Sequence, residues 1–288
     1  MTQLRFEAPS QLDYFAALVA DDAQFSLLEA AVAVAQDDHP TLDVQGALAQ
    51  IDALALRLKT RIAADTSAVQ RLRYLSRYFF QELGFAGNVN DYYTVDNSYL
   101  HRVLATRRGI PITLALIYIE IAQQLGLDAR GVSFPGHFLV KVKMSQGEVV
   151  IDPFTGASLS RDDLEERLAP YRRRQGLTGE LEVPLGLFLQ TAKPRAVLAR
   201  LLRNLKEIHR SAEDWARLYA VMQRLVLLVP DDGDERRDRG LVRAELGDAD
   251  GAIDDLSHYL QQHPRADDAR AIGERLAQLR SDRAQRLH

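Results

Sequence analysis

Cysteine is absent from the chain, and this absence excludes more chemistry than any other feature of the composition. With none among 288 residues, the chain has no disulfide bond, no thiolate metal site and no cysteine nucleophile of its own. The first residues also lack the basic start and unbroken apolar run of a secretory signal, and the longest apolar stretch, 112–122, contains Glu120 and is too short to span a bilayer. We therefore expect a cytoplasmic protein that makes no membrane contact.

A strong excess of either charge is lacking too. Lysine and arginine total 36 against 40 aspartate and glutamate residues, a formal net charge of −4, which gives the chain no overall attraction to nucleic acid. Hydrophobic residues make up 47% and charged residues 26%, as in folded domains, and the length suits one large or two ordinary domains. The sequence predicts no cofactor and no nucleic-acid partner, and it leaves the oligomeric state open.

The amino-terminal part of the chain has helical periodicity from Pro9 to about Phe85. Ser10 is suited to cap the first of four predicted helices, which form a layer expected to pack against a central helix. The histidine and aspartates of the bend at 37–43 are possible metal ligands, but they lie in one turn and lack the i, i+4 spacing of a paired site. The pattern favours a solvated helix cap and predicts no metal site.

The stretch 97–156 holds the most informative pattern. Apolar residues recur at three- and four-residue steps and nearly encircle a helix that is predicted to begin at Pro111 and to end before Gly126. Such a helix belongs inside a domain. Two apolar runs, at 138–143 and 149–151, are predicted to pair as an antiparallel hairpin through a three-residue polar turn.

Two polar residues flank this hairpin. His137 precedes the first strand, and Asp152 follows the second strand. If Phe138 lies nearly opposite Ile151 in the ladder, the histidine and the aspartate approach each other at one end of the sheet. A further short strand is predicted at 130–134, between the helix and the hairpin.

These features resemble the core of the transglutaminase and papain-like fold. The resemblance lies in the alanine four residues into the helix, the Leu-Gly-Leu-Asp-Ala-Arg sequence at its end, the histidine before a strand and the aspartate followed by proline. In that fold a nucleophilic cysteine opens the helix, a histidine opens one strand and an aspartate closes the next. By this resemblance, Pro111 occupies the position of the cysteine in this chain.

Three longer motifs are similar to those of the SirB-type bacterial family: Asn-Ser-Tyr-Leu at 97–100, Arg-Gly-Ile-Pro-Ile-Thr-Leu at 108–114 and Phe-Pro-Gly-His-Phe-Leu-Val at 134–140. Members of this family join a transglutaminase-like domain to tetratricopeptide-like helices and are usually described as regulators. The resemblance covers most of the chain. It implies an α+β fold with a helical layer, a transglutaminase and papain-like core with a small antiparallel sheet, and an all-α tetratricopeptide-like region.

Without a cysteine, the chain retains His137 and Asp152, a base and its orienting carboxylate and so two thirds of a catalytic triad. Thr113 is the nearest hydroxyl, but a threonine needs a strong adjacent base to act as a nucleophile. The favoured interpretation is a non-catalytic interaction or regulatory protein in which the pair is structural. The alternative is a cysteine-independent peptidase, amidase or amide-transfer enzyme that uses Thr113 or a water molecule activated by His137.

A loop rich in aromatic residues and asparagine leads towards the central helix. Loops held on a rigid scaffold often carry recognition residues, although aromatic residues can equally cover the edge of a domain. The arginine just before the helix could face an acidic ligand. The candidate cleft residues are Asn88, Asn90, Tyr92, Tyr93, Asn97, Arg108 and Pro111.

The carboxyl-terminal third contains a repeat. Pro230 and Pro264 are 34 positions apart, which is the tetratricopeptide period. A connecting region around Thr178 precedes this part, so we predict domains at 1–180 and 181–288.

Helix pairs of this kind usually bind a protein or peptide, although so short an array can also merely cap the preceding domain. The first helix of the repeat is predicted to have a basic exposed side that would suit an acidic peptide. This side consists of Arg236, Arg237, Arg239 and Arg243.

Overall fold

A computed structural model describes residues 10–177, 179–181 and 183–286 of the chain. Pro9, where the helical periodicity begins, and Thr178, in the predicted connecting region, lie outside these ranges. The described residues fold into two compact units. The mixed unit consists of residues 27–35 and 42–197, and the helical unit consists of residues 10–26, 36–41 and 198–286.

Helices dominate the described residues. They are α1 (Gln11–Val19), α2 (Leu27–Ala33), α3 (Val44–Lys59), α4 (Ala68–Ser76), α5 (Leu100–Thr106), α6 (Pro111–Gln124), α7 (Arg161–Arg174), α8 (Leu185–Phe188), α9 (Pro194–Ser211), α10 (Trp215–Leu228), α11 (Gly233–Glu245), α12 (Ala249–Gln262) and α13 (Ala269–Arg286). The strands are β1 (Ala86–Gly87), β2 (Arg108–Gly109), β3 (Ala129–Val132), β4 (Leu139–Met144), β5 (Gly147–Ile151) and β6 (Ser158–Leu159).

Helix α6 forms the core of the mixed unit, as its apolar pattern predicts. Pro111 occupies its first turn, most of its residues are buried, and Gly126 follows it with a φ of 76°. Helices α3 and α4 pack against α6, and the hydroxyl groups of Ser76 and Tyr118 lie 2.9 Å apart between α4 and α6. The predicted packing of helices against the central helix is thus confirmed for α3 and α4.

The fourth predicted helix changes its geometry part-way. It runs as α4 to Ser76 and then continues as a π-helical turn over Arg77–Glu82, which the apolar spacing did not indicate. Wider π-helical turns are rare and are frequently found at functional sites.

Strands β3, β4, β5 and β6 form an antiparallel sheet in that order, and β1 pairs with β2 in parallel. Met144 pairs with Gly147, so the hairpin turn contains two residues rather than the predicted three. Val140 lies opposite Ile151, so Phe138 is two residues from the position opposite Ile151.

Both faces of β4 are covered. Val140 and Val142 are buried on one face, as the alternation predicts. Leu139 on the other face is also fully buried, because it packs with Leu164 and Leu168 of α7. The sheet is therefore an inner layer at this point and not a half-solvated one.

In the helical unit, α1 begins with a capping box, in which Ser10 and Asp13 satisfy each other's backbone N–H groups. Phe15 of α1 is fully buried, and its ring centroid lies 5.2 Å from the guanidinium of Arg224 on α10. Arg224 also pairs with Asp37 at 2.6 Å, and burial raises the pKa of Asp37 while Arg224 lowers it. The expected solvated cap at this bend is therefore wrong for Asp37.

The repeat predicted from the proline spacing consists of α11 and α12. Gly240 of α11 permits their close approach, since a Cβ added there would lie 2.9 Å from a methyl group of Leu256 on α12. Leu256 also belongs to an apolar cluster with Leu276 and Leu279 of α13.

Candidate functional site

His137 is positioned by a tight turn before β4. The backbone N–H of His137 donates a hydrogen bond to the carbonyl oxygen of Phe134 at 3.0 Å. Gly136 has a φ of 69°, a conformation that favours glycine. The side chain of His137 is 22% exposed. The backbone of His137 is thus held in place, and its imidazole is partly exposed to solvent.

Asp152 lies directly after β5 and is almost fully buried. One carboxylate oxygen, Oδ1, lies 2.8 Å from Nε2 of His137 and accepts a hydrogen bond from the N–H of Phe154 at 2.9 Å. The other oxygen, Oδ2, accepts a hydrogen bond from Nη1 of Arg167 at 2.9 Å. The structure therefore brings the two flanking residues of the hairpin together and adds a cation on the far side of the carboxylate.

Electrostatics keep this carboxylate ionised. Burial alone would raise the pKa of Asp152, but the hydrogen bonds from His137, Arg167 and the N–H of Phe154 hold it well below its ordinary value. Because an ionised carboxylate can only accept hydrogen bonds, Nε2 of His137 is the donor of the pair. In the neutral imidazole, Nδ1 is then the nitrogen that can accept a proton or a hydrogen bond.

Thr113 is enclosed at the start of α6. The residue is 0% exposed, and its hydroxyl lies 2.8 Å from the carbonyl oxygen of Asn97 and 3.0 Å from that of Ile110. A Cβ on Gly109 would lie 2.7 Å from this hydroxyl, so the backbone closes over it. Pro111 is buried beside it. The contacts of Thr113 are those of a residue that fixes the loop before α6.

The loop 88–93, which we call the aromatic loop, is held by the side-chain amides of Asn88 and Asn97. Asn97 is 3% exposed, and its Nδ2 donates to the carbonyl oxygens of Asp91 at 2.6 Å and Tyr92 at 3.1 Å. Nδ2 of Asn88 donates to Oδ1 of Asn97 at 3.1 Å, and Oδ1 of Asn88 accepts from the N–H of Asp91. Asn88 and Asn97 therefore order the loop.

The side chains that the aromatic loop presents to solvent are mostly apolar. Tyr93 is 78% exposed, Val89 77% and Tyr92 40%, and the polar residues Asn90 and Asp91 are exposed beside them. Apolar side chains that lie together on an exposed surface often mark an interaction site.

Phe154 connects the aromatic loop to the His137 pair. The centroid of its ring lies 5.9 Å from that of Tyr92 and 6.4 Å from that of His137. The same ring packs on Gly87, where a Cβ would come within 2.3 Å of it. The Phe154 ring thus links the imidazole of His137 to the exposed Tyr92.

Arg108 supports the backbone nearby. Its Nη1 donates to the carbonyl oxygen of Gly84 at 2.6 Å and to that of Arg107 at 3.0 Å, although the residue is exposed. These bonds leave part of its guanidinium facing solvent.

Sequence reasoning missed Phe154 and Arg167. Phe154 follows Asp152 by two positions, so a turn in which its N–H returns to the carboxylate could have been anticipated. Arg167 lies in a run of charged residues on α7, and no spacing in the sequence distinguishes it from its neighbours.

The predicted basic side of the repeat is largely neutralised. Arg237 pairs with Asp234, Asp238 and Asp268, and both Arg239 and Arg243 pair with Asp255. The expectation of an exposed basic side is therefore wrong: all four arginines are half-buried, and these three are paired with carboxylates.

Arg236 lines a groove of about 340 Å³ in the helical unit, together with His258 and His263. In the described part of the chain, no cluster of three or more histidine, cysteine, aspartate or glutamate side chains could hold a metal ion. None of the helices described above is long and apolar enough to cross a membrane.

Two family models match the chain in sequence. Residues 45–203 match the transglutaminase-like superfamily, and residues 205–277 match a tetratricopeptide repeat model. A UPF0162 protein of Xylella fastidiosa is 36% identical over 92% of this chain and 94% of its own length. The chain belongs to the UPF0162 family of transglutaminase-like proteins.

Two further relatives match at lower identity. A protein of Pseudomonas aeruginosa is 30% identical over 91% of this chain and 94% of its own length. Protein SirB1 of Salmonella typhimurium is 30% identical over 79% of this chain and 81% of its own length. The SirB-type resemblance and the α+β fold with a tetratricopeptide region are thereby confirmed. No solved structure matches the chain.

Proposed function

We propose that this UPF0162 member is a non-catalytic, regulatory protein that binds a polypeptide through its mixed unit. The observation that carries the proposal is the start of α6, where Pro111 stands in the position that the resemblance gives to the cysteine and the hydroxyl of Thr113 is enclosed. With no cysteine in the chain, no side chain at the start of this helix offers a nucleophile. The His137–Asp152 pair then serves to hold the sheet edge and the turn after β5.

The aromatic loop is the binding surface that we propose. Exposed Val89, Tyr92 and Tyr93 stand on a backbone that the half-buried amide of Asn88 and the buried amide of Asn97 already fix. An ordered loop loses little conformational entropy when a partner binds, and tyrosine is enriched among the residues that contribute most to binding energy. These properties favour a polypeptide partner that covers apolar side chains.

A random-sequence peptide display library, selected on the full chain, tests this proposal. Synthetic copies of the selected peptides are then titrated calorimetrically against the native chain, Tyr93→Ala and Tyr74→Ala. Tyr93→Ala should weaken binding by about tenfold or more, as for an interface tyrosine that contributes about 1.4 kcal/mol or more. Tyr74 is the matched control, because it is 50% exposed on α4.

Equal affinities for the two variants would contradict a role for the aromatic loop. Peptides whose binding responds instead to Arg236→Ala would place recognition in the groove of the helical unit, as tetratricopeptide repeats in general would suggest. Both results keep a binding function while reassigning its surface.

The enzyme alternative is favoured by one observation. Nε2 of His137 is held by an ionised carboxylate, and the partly exposed imidazole therefore presents Nδ1 as a possible base for a water molecule. Hydrolysis of an amide that is lost in His137→Ala, with folding unchanged, would support this alternative.

A further inference from the structure

The groove of about 340 Å³ in the helical unit is formed by the start of α11 and the end of α12. Gly233 lines it from α11, and Tyr259 and His263 line it from the α12 side. The imidazole of His263 packs directly on the glycine, because a Cβ added at Gly233 would lie 2.2 Å from its Nε2. The ring centroids of His263 and Tyr259 lie 5.1 Å apart. The volume is near the lower end of the range for small-molecule pockets, about 300–1,000 Å³, so the groove suits a small ligand.

Two side chains of opposite charge line this groove and do not neutralise each other. Arg236 is half-buried and Asp231 is exposed. Among the described residues, neither side chain forms an ion pair or a hydrogen bond. The other arginines of α11, which are Arg237, Arg239 and Arg243, all pair with carboxylates. Arg236 is therefore distinguished from its neighbours both by its place in a groove and by its unused charge.

The α12 side of the groove adds neutral hydrogen-bonding groups. His258 and Gln262 are four residues apart on α12, so they lie on the same face of the helix, and both line the groove. The amide of Gln262 and a neutral imidazole each offer a donor and an acceptor. The hydroxyl group of Tyr259 is already used, since it donates to Asp268 at 2.7 Å. The groove thus combines one cation, one anion and polar groups that can bind the atoms between them.

We propose that this groove binds a small zwitterion of the amino-acid or short-peptide type. The carboxylate of the ligand pairs with Arg236, whose planar guanidinium suits a carboxylate, and the ammonium group pairs with Asp231. A dipeptide extends over about 7 Å, so its charged ends can reach two side chains that are too far apart to pair with each other. Asp231 would repel a dianion, which disfavours phosphate. The site lies in the helical unit and does not depend on the proposed function of the aromatic loop.

Calorimetric titration of the dipeptide alanylalanine into the full chain tests this site, and two blocked forms of the dipeptide test each charge. Alanylalanine should bind the native chain. Alanylalanine amide lacks the carboxylate and should bind about tenfold more weakly, as for the loss of a hydrogen bond between charged groups. N-acetyl-alanylalanine lacks the ammonium group and should bind about threefold more weakly, since Asp231 is exposed.

Substitutions in the groove assign each end of the ligand to its residue. Arg236→Gln should weaken the binding of alanylalanine by about tenfold, and it should leave the binding of the amide form unchanged because that form has no carboxylate to lose a partner. Asp231→Asn should weaken the binding of alanylalanine by about threefold and leave that of the N-acetyl form unchanged. Both variants should fold, because neither side chain has a partner in the described part of the chain.

Arg265→Gln and Asp254→Asn are the matched controls. Both change exposed residues that do not line the groove, so alanylalanine should bind these variants as it binds the native chain. Tyr93→Ala should also leave this binding unchanged, which separates the groove from the aromatic loop. The proposal is overturned if alanylalanine does not bind, if the amide form binds as tightly, or if Arg236→Gln binds as the native chain does. Weaker binding in Tyr93→Ala alone would overturn it too, because the dipeptide would then occupy the aromatic loop.

Discussion

Replacing Asp152 with asparagine probes how the edge of the sheet at His137 is held together. The residue is 1% exposed, and its carboxylate contacts His137, Arg167 and the N–H of Phe154. Hydrogen bonds to a charged group contribute about 1.5–3 kcal/mol each. Asparagine keeps one acceptor oxygen but turns an NH₂ group towards one of the donors. We therefore expect the free energy of unfolding to fall by about 2–3 kcal/mol at neutral pH.

The size of this effect depends on pH in a predictable direction. The pKa of Asp152 is lowered in the folded chain, so its carboxylate contributes full stabilisation above its unfolded-state pKa of about 4. That contribution is lost as the pH falls from about 4 towards the lower folded-state pKa. The difference between the native chain and Asp152→Asn should therefore be full at about pH 7 and smaller at about pH 3. Urea unfolding followed by circular dichroism measures it at both values.

Asp128→Asn is the matched control for this experiment. Asp128 pairs with Arg130 at 2.8 Å, and the two side chains are 49% and 58% exposed, so this pair contributes only about 0–1 kcal/mol. Equal losses for Asp128→Asn and Asp152→Asn would refute the reasoning. So would a loss for Asp152→Asn that stays constant between the two pH values.

Two further substitutions test one contact in each unit: a buried ion pair in the helical unit and a close packing contact in the mixed unit. Arg224→Met removes the buried partner of Asp37 but keeps an alkyl chain beside α1. It should lower the free energy of unfolding by about 3 kcal/mol, as measured by urea unfolding. A loss below about 1 kcal/mol would contradict a stabilising ion pair. Gly87→Ala places a Cβ against the ring of Phe154, and it should lower the free energy of unfolding by about 1–3 kcal/mol. Gly186→Ala is the control: its Cβ would meet no atom within 4 Å, so the same measurement should show almost no change.

The parts of the fold that the sequence predicts well are those decided by local chemistry. Pro111 and Gly126 bound α6 because a missing N–H and a positive φ are properties of single residues. The meeting of His137 and Asp152 follows from their places just outside the two strands at the open end of a hairpin, although Phe138 is two residues from the position opposite Ile151. In an antiparallel hairpin the residue before the first strand and the residue after the second lie at the same end of the sheet, so they stay close even if the register differs by one or two residues.

The remaining features depend on how distant elements pack together. Arg167 approaches Asp152 only because α7 packs on the sheet, and Arg239 finds Asp255 only because two helices pair. Sequence periodicity marks such residues as polar and gives no indication of which of them lie inside. The burial of Asn97 behind an exposed loop has the same origin. The domain limits at 1–180 and 181–288 stay a prediction.

The measurement that tests the absence of catalysis most directly is ammonia release from glutamine-containing peptides by the full chain. The native chain and His137→Ala are compared from about pH 5 to pH 9, a range that covers the ordinary pKa of histidine. A non-catalytic protein predicts release at the background rate for both chains at every pH. Release by the native chain that falls to background in a folded His137→Ala chain would contradict this account and establish the enzyme alternative.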